Sequence, residues 1–244
     1  MQAPSSTALR PAAALRLLSG TATMKTSMHS RSGFSLVEIF LVLATVALLV
    51  LVFLPMLGRS RTRICRISCT SCLKQVGIAY RLFAGDHDDT YPFALSIASG
   101  GTMEFTNSPQ VFRHLQVMSN ELVSPKILVC PQDTRKQRAG DFLLTGTSSS
   151  FNHNRNLSYF VGLDADETKP ERLLSGDRNI TGGTLSNGFL RLLTPSTPAG
   201  WTSEIHKNAG NIGLADGSVI QTDALALRRQ LRTNTLAVIR LAIP

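Results

Sequence analysis

The sequence predicts an α+β protein: a long N-terminal hydrophobic helix followed by a small, mainly antiparallel β-sheet head. Three observations carry this. Residues 34–57 form one apolar run of membrane length. Residues 59–84 continue with apolar positions at helical spacing. Beyond residue 92, short apolar runs are punctuated by Pro, Gly, Ser and Asn, the pattern of short strands and turns.

In the first element, FSLVEIFLVLATVALLVLVFLPML, the only polar residue between Ile39 and Leu54 is Thr45. A helix needs about 20 apolar residues to cross the hydrocarbon core, and a soluble core helix is seldom apolar on every face. A cleaved secretory signal has a shorter apolar core and small residues at the cut, whereas this run ends in Pro55-Met56-Leu57-Gly58-Arg59. Glu38 lies inside the N-terminal end of the run. An ionisable group in a membrane is costly, by about 3 kcal/mol at the bilayer centre and less near an edge, so Glu38 calls for a partner.

The chain has 244 residues, 43% hydrophobic and 17% charged, which excludes a wholly disordered protein. Of the net charge of +9, four units come from Arg10, Arg16, Lys25 and Arg31 in the first 33 residues, which hold no acid. The remaining five are spread over the rest of the chain, a weak basis for nucleic-acid binding.

Residues 59–84 place Ile64, Ile67, Val76, Ala79, Tyr80 and Phe83 at spacings of 3, 4 and 7, which predicts an amphipathic helix continuing the apolar one. One helix from Phe34 to Ala84 would be about 75 Å long at 1.5 Å per residue. The run Gly85-Asp86-His87-Asp88-Asp89 with Tyr91-Pro92 ends it. Ile127–Cys130, Tyr159–Gly162 and Phe189–Leu193 read as strands, residues 223–232 as a short helix and Thr235–Ile243 as a last strand. The Ser-, Thr- and Asn-rich stretch 145–156 reads as an exposed loop. Asn211–Gln221 reads as a hairpin turning on Asp216-Gly217, a favoured two-residue turn because both residues tolerate positive φ.

Gly33 followed by Phe34-Ser35-Leu36-Val37-Glu38 and a long apolar run resembles the type IV prepilin and pseudopilin signal. The resemblance implies that a membrane peptidase cuts after Gly33 on the cytoplasmic side and methylates the new amine of Phe34. It implies that the apolar helix stays as anchor and assembly element, with Glu38 pairing with the N-terminal amine of a neighbouring subunit. Pro55, 22 places after the cut, stands where such proteins often carry a helix-kinking Pro. The sequence departs from the pattern at Arg31-Ser32-Gly33, where a basic residue often abuts the Gly directly. The 33-residue leader is also long, and a start at Met24 or Met28 gives a more typical one. Arg59, Arg61, Arg63 and Arg66 follow the span, so the positive-inside rule alone favours a cytoplasmic C-terminus; the resemblance implies the reverse.

Further fragments resemble one branch of the same family. They are Leu73-Lys74-Gln75 through Asp86, Asp89 and Tyr91-Pro92; Cys130-Pro131-Gln132-Asp133; Ser158–Gly162; and Leu174–Asn179. His206, then nine residues, then Asp216-Gly217 resembles the processing-associated H-X9-DG pattern of that branch. On the residues themselves, Asp216 and Gly217 form a turn, and His206 is a structural or surface residue near the hairpin.

The four cysteines are Cys65, Cys69, Cys72 and Cys130, the first three on one helical stripe. Cys69-Thr-Ser-Cys72 is a C-x-x-C without the second pair or histidines of a zinc site, and without a βαβ context. A structural disulfide from Cys130 to the stripe suits an exported head, with the partner left open. Asp86, Asp88 and Asp89 offer carboxylates spaced for Ca²⁺, against the plainer reading of a solvated helix-ending loop. No nucleophile elbow, phosphate loop, dinucleotide fingerprint or zinc-protease motif occurs.

The expectation is therefore a non-enzymatic prepilin-like (pseudopilin) subunit requiring no cofactor. It comprises a leader 1–33, a membrane and assembly helix 34–57, an amphipathic extension 58–84 and an extracytoplasmic head 85–244. The resemblance implies as partners the prepilin peptidase, other pilins or pseudopilins, and an inner-membrane assembly platform. Nucleic acid is not expected. Two other classes remain at this level. One is a bitopic thiol-redox protein using Cys69 and Cys72. The other is a DNA- or surface-binding minor pilin using Arg59–Arg66 or Arg228, Arg229 and Arg232.

Overall fold

A computed structural model describes residues 33–143 and 149–244, and all their side chains except those of 54–63. The leader up to residue 32, with Met24 and Met28, lies outside the described residues, as does the side chain of Pro55. The architecture is α+β with an antiparallel sheet. The chain divides into two units, Met1–Val50 and Leu51–Pro244.

Helix α1 is Leu36–Gly85. Its start is set by a reciprocal cap: the Ser35 backbone N–H donates to Glu38 Oε2 at 3.2 Å, and Ser35 Oγ accepts from Val37 N at 3.4 Å. Within α1, Leu36–Phe53 has a mean hydropathy of 3.0 and no buried residue, so by length and composition it is able to cross a membrane.

In the second unit, α1 buries Cys69, Leu73, Val76, Ala79, Tyr80, Phe83 and Ala84. Ile64 and Ile67, expected on that stripe, are 63% and 64% exposed. The phase explains this. Cys69, Val76 and Phe83 recur every seven residues, as do Leu73 and Tyr80, and stepping back seven reaches 62 and 66 rather than 64 and 67. Position 66 does face inward, and Arg66 Nη2 donates to the carbonyls of Gly210 and Thr222, each at 3.3 Å.

Short turns follow, with α2 (Arg113–Gln116) and α3 (Ser119–Leu122). Ile127–Cys130, expected as a strand, falls instead in and after a 3-10 turn, Pro125–Leu128. Pro125 pre-sets helical φ, and Ser124 Oγ accepts from Lys126 N at 3.4 Å, so the Ser-Pro start outweighs the apolar run. The stretch expected as an exposed loop buries Ser150, Phe151 and Asn156. Phe151 packs edge-on against Phe112 and Phe142.

The strands are β1 (Tyr159–Gly162), β2 (Leu173–Asp177), β3 (Ile180–Thr181), β4 (Thr184–Ser186), β5 (Leu190–Leu193), β6 (Gly200–Trp201), β7 (Gly210–Leu214), β8 (Val219–Thr222) and β9 (Ile239–Ala242). Seven form an antiparallel sheet in the order β4-β5-β9-β1-β2-β7-β8; β3 and β6 form a separate ribbon. The last strand thus lies between β5 and β1.

Both faces of the central strands are buried. Tyr159 and Val161 join the core that holds α1, while Phe160 between them joins a second core with Leu227 and Leu231 of α4 (Ala224–Thr233). Asp223 caps α4, its Oδ1 accepting from Ala226 N at 2.7 Å. The β7–β8 turn is longer than expected. Gly213 pairs with Val219 and Leu214 N donates to Ser218 O, leaving a three-residue loop, Ala215-Asp216-Gly217. Only Gly217 takes positive φ, +81°, as a turn with a left-handed third residue requires.

His114 on α2 is fully buried, with Nδ1 2.7 Å from Thr102 Oγ1. Burial pushes its imidazole down to about 4, against the opposing pull of the Phe105 carbonyl. Between pH 6.5 and 4 the unfolded chain therefore takes up a proton that the folded chain refuses. Stability falls as pH drops through that window, by about 3 kcal/mol in all. Unfolding free energies from urea titrations at pH 7 and pH 4 should differ by that much more in the native protein than in a His114→Gln variant.

Candidate functional site

Four separate stretches of chain meet in one buried polar cluster. Cys69 of α1 is disulfide-bonded to Cys130, just past the 3-10 turn, 61 residues away. Asp177 ends β2, Asn211 sits in β7, and His206 lies on the loop leading into β7. Cys69, Cys130, Asp177, His206 and Asn211 are all buried. His206 Nδ1 is 2.8 Å from Gln132 Oε1, and its Nε2 lies 3.6 Å from Cys130 Sγ and 3.4 Å from Asp177 Oδ2. Asp177 Oδ2 also accepts from the backbone N–H and side-chain amide of Asn211, at 2.7 and 3.0 Å. Its other oxygen, Oδ1, has no hydrogen-bond partner among the described residues.

A second layer surrounds this pair. Arg178, next to Asp177, holds Asp133 with Nε and Nη2 at 2.7 and 2.8 Å and reaches Glu204 at 3.0 Å. Arg135 closes on the other Glu204 oxygen at 2.8 Å. Burial pulls the Asp133 carboxyl up, but the Arg178 guanidinium outweighs it and holds the group below its ordinary range.

The electrostatics of the inner pair follow from burial. Burial pushes Asp177 up to about 7, against the Asn211 donors and Arg66. Burial, with Arg66, pushes His206 down to about 4. If Gln132 Oε1 accepts from Nδ1–H, the Nε2 lone pair faces Asp177 and the Cys130 sulfur; in the other tautomer Nε2–H points at the Asp177 carboxyl. Such a pair can pass or hold one proton, but both sulfurs beside it are tied in the disulfide, so no thiolate nucleophile is present.

No protein-family model matches the chain, and no curated protein or solved structure does. The residues of the site therefore speak for themselves.

The other sequence candidates lie elsewhere. Asp216 and Gly217 turn the β7–β8 hairpin, where Asp216 Oδ1 accepts from Ser218 N at 2.8 Å and the Asp216 carbonyl accepts from Arg81. His206 partners Asp177 rather than Asp216, and it is buried, not a surface residue. Gly33 has open space around it and Phe34 is 83% exposed. Cys65 and Cys72 are half-buried free thiols. Burial pushes the Cys72 thiol up, against Arg138 and the Tyr159 hydroxyl. The Cys69–Cys72 redox reading is corrected here, because Cys69 is bonded to Cys130 across the fold.

Asp86, Asp88 and Asp89 form the turn after α1, with Asp88 and Asp89 in left-handed conformation. Among the described residues the one convergent group of three or more potential metal ligands is Cys69, Cys130 and His206, so the three aspartates do not gather as Ca²⁺ ligands would. Of the basic groups, Arg66 is turned inward and Arg228 Nε donates to the Ala199 carbonyl at 2.8 Å.

The sequence placed Asp177 only in a family fragment, Asn211 only in a hairpin strand and Arg66 only in a basic cluster, and gave none of them a part in this site. A signal did exist: an acid following Leu173-Leu174-Ser175-Gly176 sits where a strand of small and apolar residues predicts burial. A buried carboxylate demands donors.

Proposed function

We propose that this chain is a prepilin-like subunit, anchored in the inner membrane by one helix and assembled from there into a type II secretion or type IV pilus-like fibre. The observation that carries the reading is the strongly apolar, unburied stretch Leu36–Phe53, which starts two residues after Phe34 and holds one acid, Glu38, in its first turn. The disulfide adds support, since such bonds persist in oxidising compartments outside the cytoplasm. In this reading the prepilin peptidase cuts after Gly33 and methylates Phe34. The head faces the extracytoplasmic side, and neighbouring pilins or pseudopilins with the assembly platform are the partners. The role is mechanical and needs no catalytic group.

Glu38 has a defined part. Before cleavage its carboxylate accepts from the Ser35 N–H of its own chain. Cleavage creates a charged amine on Phe34, and a neighbour's Glu38 then offers that amine a partner in a medium where an unpaired charge is costly. Mass spectrometry of the N-terminus from the native membrane should find a chain starting at Phe34 and heavier by one methylene, about 14 Da. A chain retaining residues before Phe34 would leave a plain signal anchor. A Glu38→Ala variant should stay in the membrane fraction and fail to enter fibres; normal incorporation would remove the proposed pairing.

A further inference from the structure

The Cys69–Cys130 disulfide sits in surroundings that a plain cross-link does not need. A disulfide between helix and loop requires only packing, yet Cys130 Sγ lies 3.6 Å from Nε2 of the buried His206, which in turn lies 3.4 Å from the buried Asp177 carboxylate. The ligand atoms of Cys69, Cys130 and His206 all lie within 4.8 Å of one another. One of the distances already suits a small tetrahedral ion. With metal–sulfur bonds of about 2.3 Å and metal–nitrogen bonds of about 2.1 Å, the tetrahedral sulfur–nitrogen edge comes to about 3.6 Å. The structure holds Cys130 Sγ 3.6 Å from His206 Nε2. The far side of the ring also has the kind of partner that metal-bound histidines usually have, an amide oxygen, Gln132 Oε1, 2.8 Å from Nδ1.

We propose that Cys69, Cys130 and His206 form a binding site for a thiophilic divalent cation of the Zn²⁺ type, which the chain holds when the two cysteines are reduced and which the disulfide excludes. The proposal does not depend on the membrane reading. The exchange balances. A dithiol reductant gives two electrons and two protons to the disulfide, becoming a disulfide itself and leaving two thiols on Cys69 and Cys130. The cation then displaces both thiol protons into solvent and bonds to both sulfurs. In reverse, a disulfide oxidant takes two electrons from the thiolates, the sulfur–sulfur bond re-forms, and the cation leaves because bonded sulfurs are no longer thiolate ligands. Cys69 and Cys130 thus clamp α1 to the 130 loop in either redox state.

The test uses the full chain in detergent with Cys65→Ser and Cys72→Ser, so that only the two cysteines of the site remain. The protein is reduced with a phosphine and titrated with Co²⁺, then back-titrated with Zn²⁺. Expected is one Co²⁺ per chain, with thiolate-to-metal charge-transfer absorption and the intense visible bands of a tetrahedral ion. Zn²⁺ should displace it, and the oxidised protein should give no bands. A His206→Gln variant should bind at least tenfold more weakly. Where reduction loosens the fold, Co²⁺ should restore the near-ultraviolet circular dichroism. The proposal is overturned by a reduced protein that gives no thiolate–cobalt absorption, by equal affinity in the His206→Gln variant, or by metal that binds without restoring a lost fold.

Discussion

Replacing Cys69 and Cys130 together by alanine should lower the unfolding free energy of the Leu51–Pro244 unit by about 4 kcal/mol under oxidising conditions. The figure follows from the 61-residue separation of the pair, since a cross-link that closes so long a loop removes much of the unfolded chain's freedom. The native cost of making the bond is small, because both cysteines lie in the same apolar core as Leu73, Val76 and Leu128. Urea titration followed by the fluorescence of Trp201, the only tryptophan and a buried one, reads the effect directly. Reduction of the native protein in metal-free buffer should give a loss of similar size. A change below 1 kcal/mol would mean that the unfolded chain already keeps α1 and the 130 loop together.

Arg178→Met should cost about 3–5 kcal/mol. The side chains of Asp133 and Arg178 are 1% and 11% exposed, so removing the guanidinium strands a carboxylate that water cannot reach. Glu204 is more exposed and keeps Arg135, so its loss counts for little. The double variant Asp133→Asn/Arg178→Met should recover a good part of the loss, because no buried charge is then left. The pH dependence separates this from simple loss of packing. In the native protein Asp133 is held below its ordinary range, so it contributes stability above pH 3.8 that is lost on acidification. In Arg178→Met burial raises that carboxyl against only the hydrogen bonds of Ser158 and the Arg135 backbone N–H, so it is protonated more readily than in the native protein and acid relieves the variant. Native and variant stabilities should converge as pH falls from 7 toward 4, and parallel curves would exclude the buried charge as the cause.

How much of this was legible in the sequence depended on whether neighbours along the chain or across it decided the outcome. β1 occupies Tyr159–Gly162 and α4 Ala224–Thr233 as expected, because a short apolar run between turn residues, or a polar cap before an amphipathic run, carries its own instructions. The β7–β8 hairpin was also readable, though the loop held three residues rather than two. Ile127–Cys130 misled because its branched apolar side chains are buried by a turn rather than by a ladder. Ile64 and Ile67 misled because spacing alone does not fix the phase of a helix, and only the sheet beneath selects the face.

The polar cluster was out of reach for a different reason. His206 and Asp177 are 29 positions apart, and the nearer acid in the expected pattern, Asp216, is turned to another surface. The choice of Cys69 over Cys65 and Cys72 depends on the same phase that misplaced the isoleucines, since Cys69 shares the buried face with Leu73 and Val76.

The position of β9 has a consequence for how the chain is made. Because the last strand lies between β1 and β5, both of those strands keep an open edge until residue 242 has been synthesised and delivered. The sheet is therefore completed by β9. A nascent head cannot close early, whichever way it travels, and for that interval it presents two adhesive strand borders to other chains. A chain arrested before β9 would lack the piece that joins two halves of a sheet, and its open strand edges would make it an aggregation hazard.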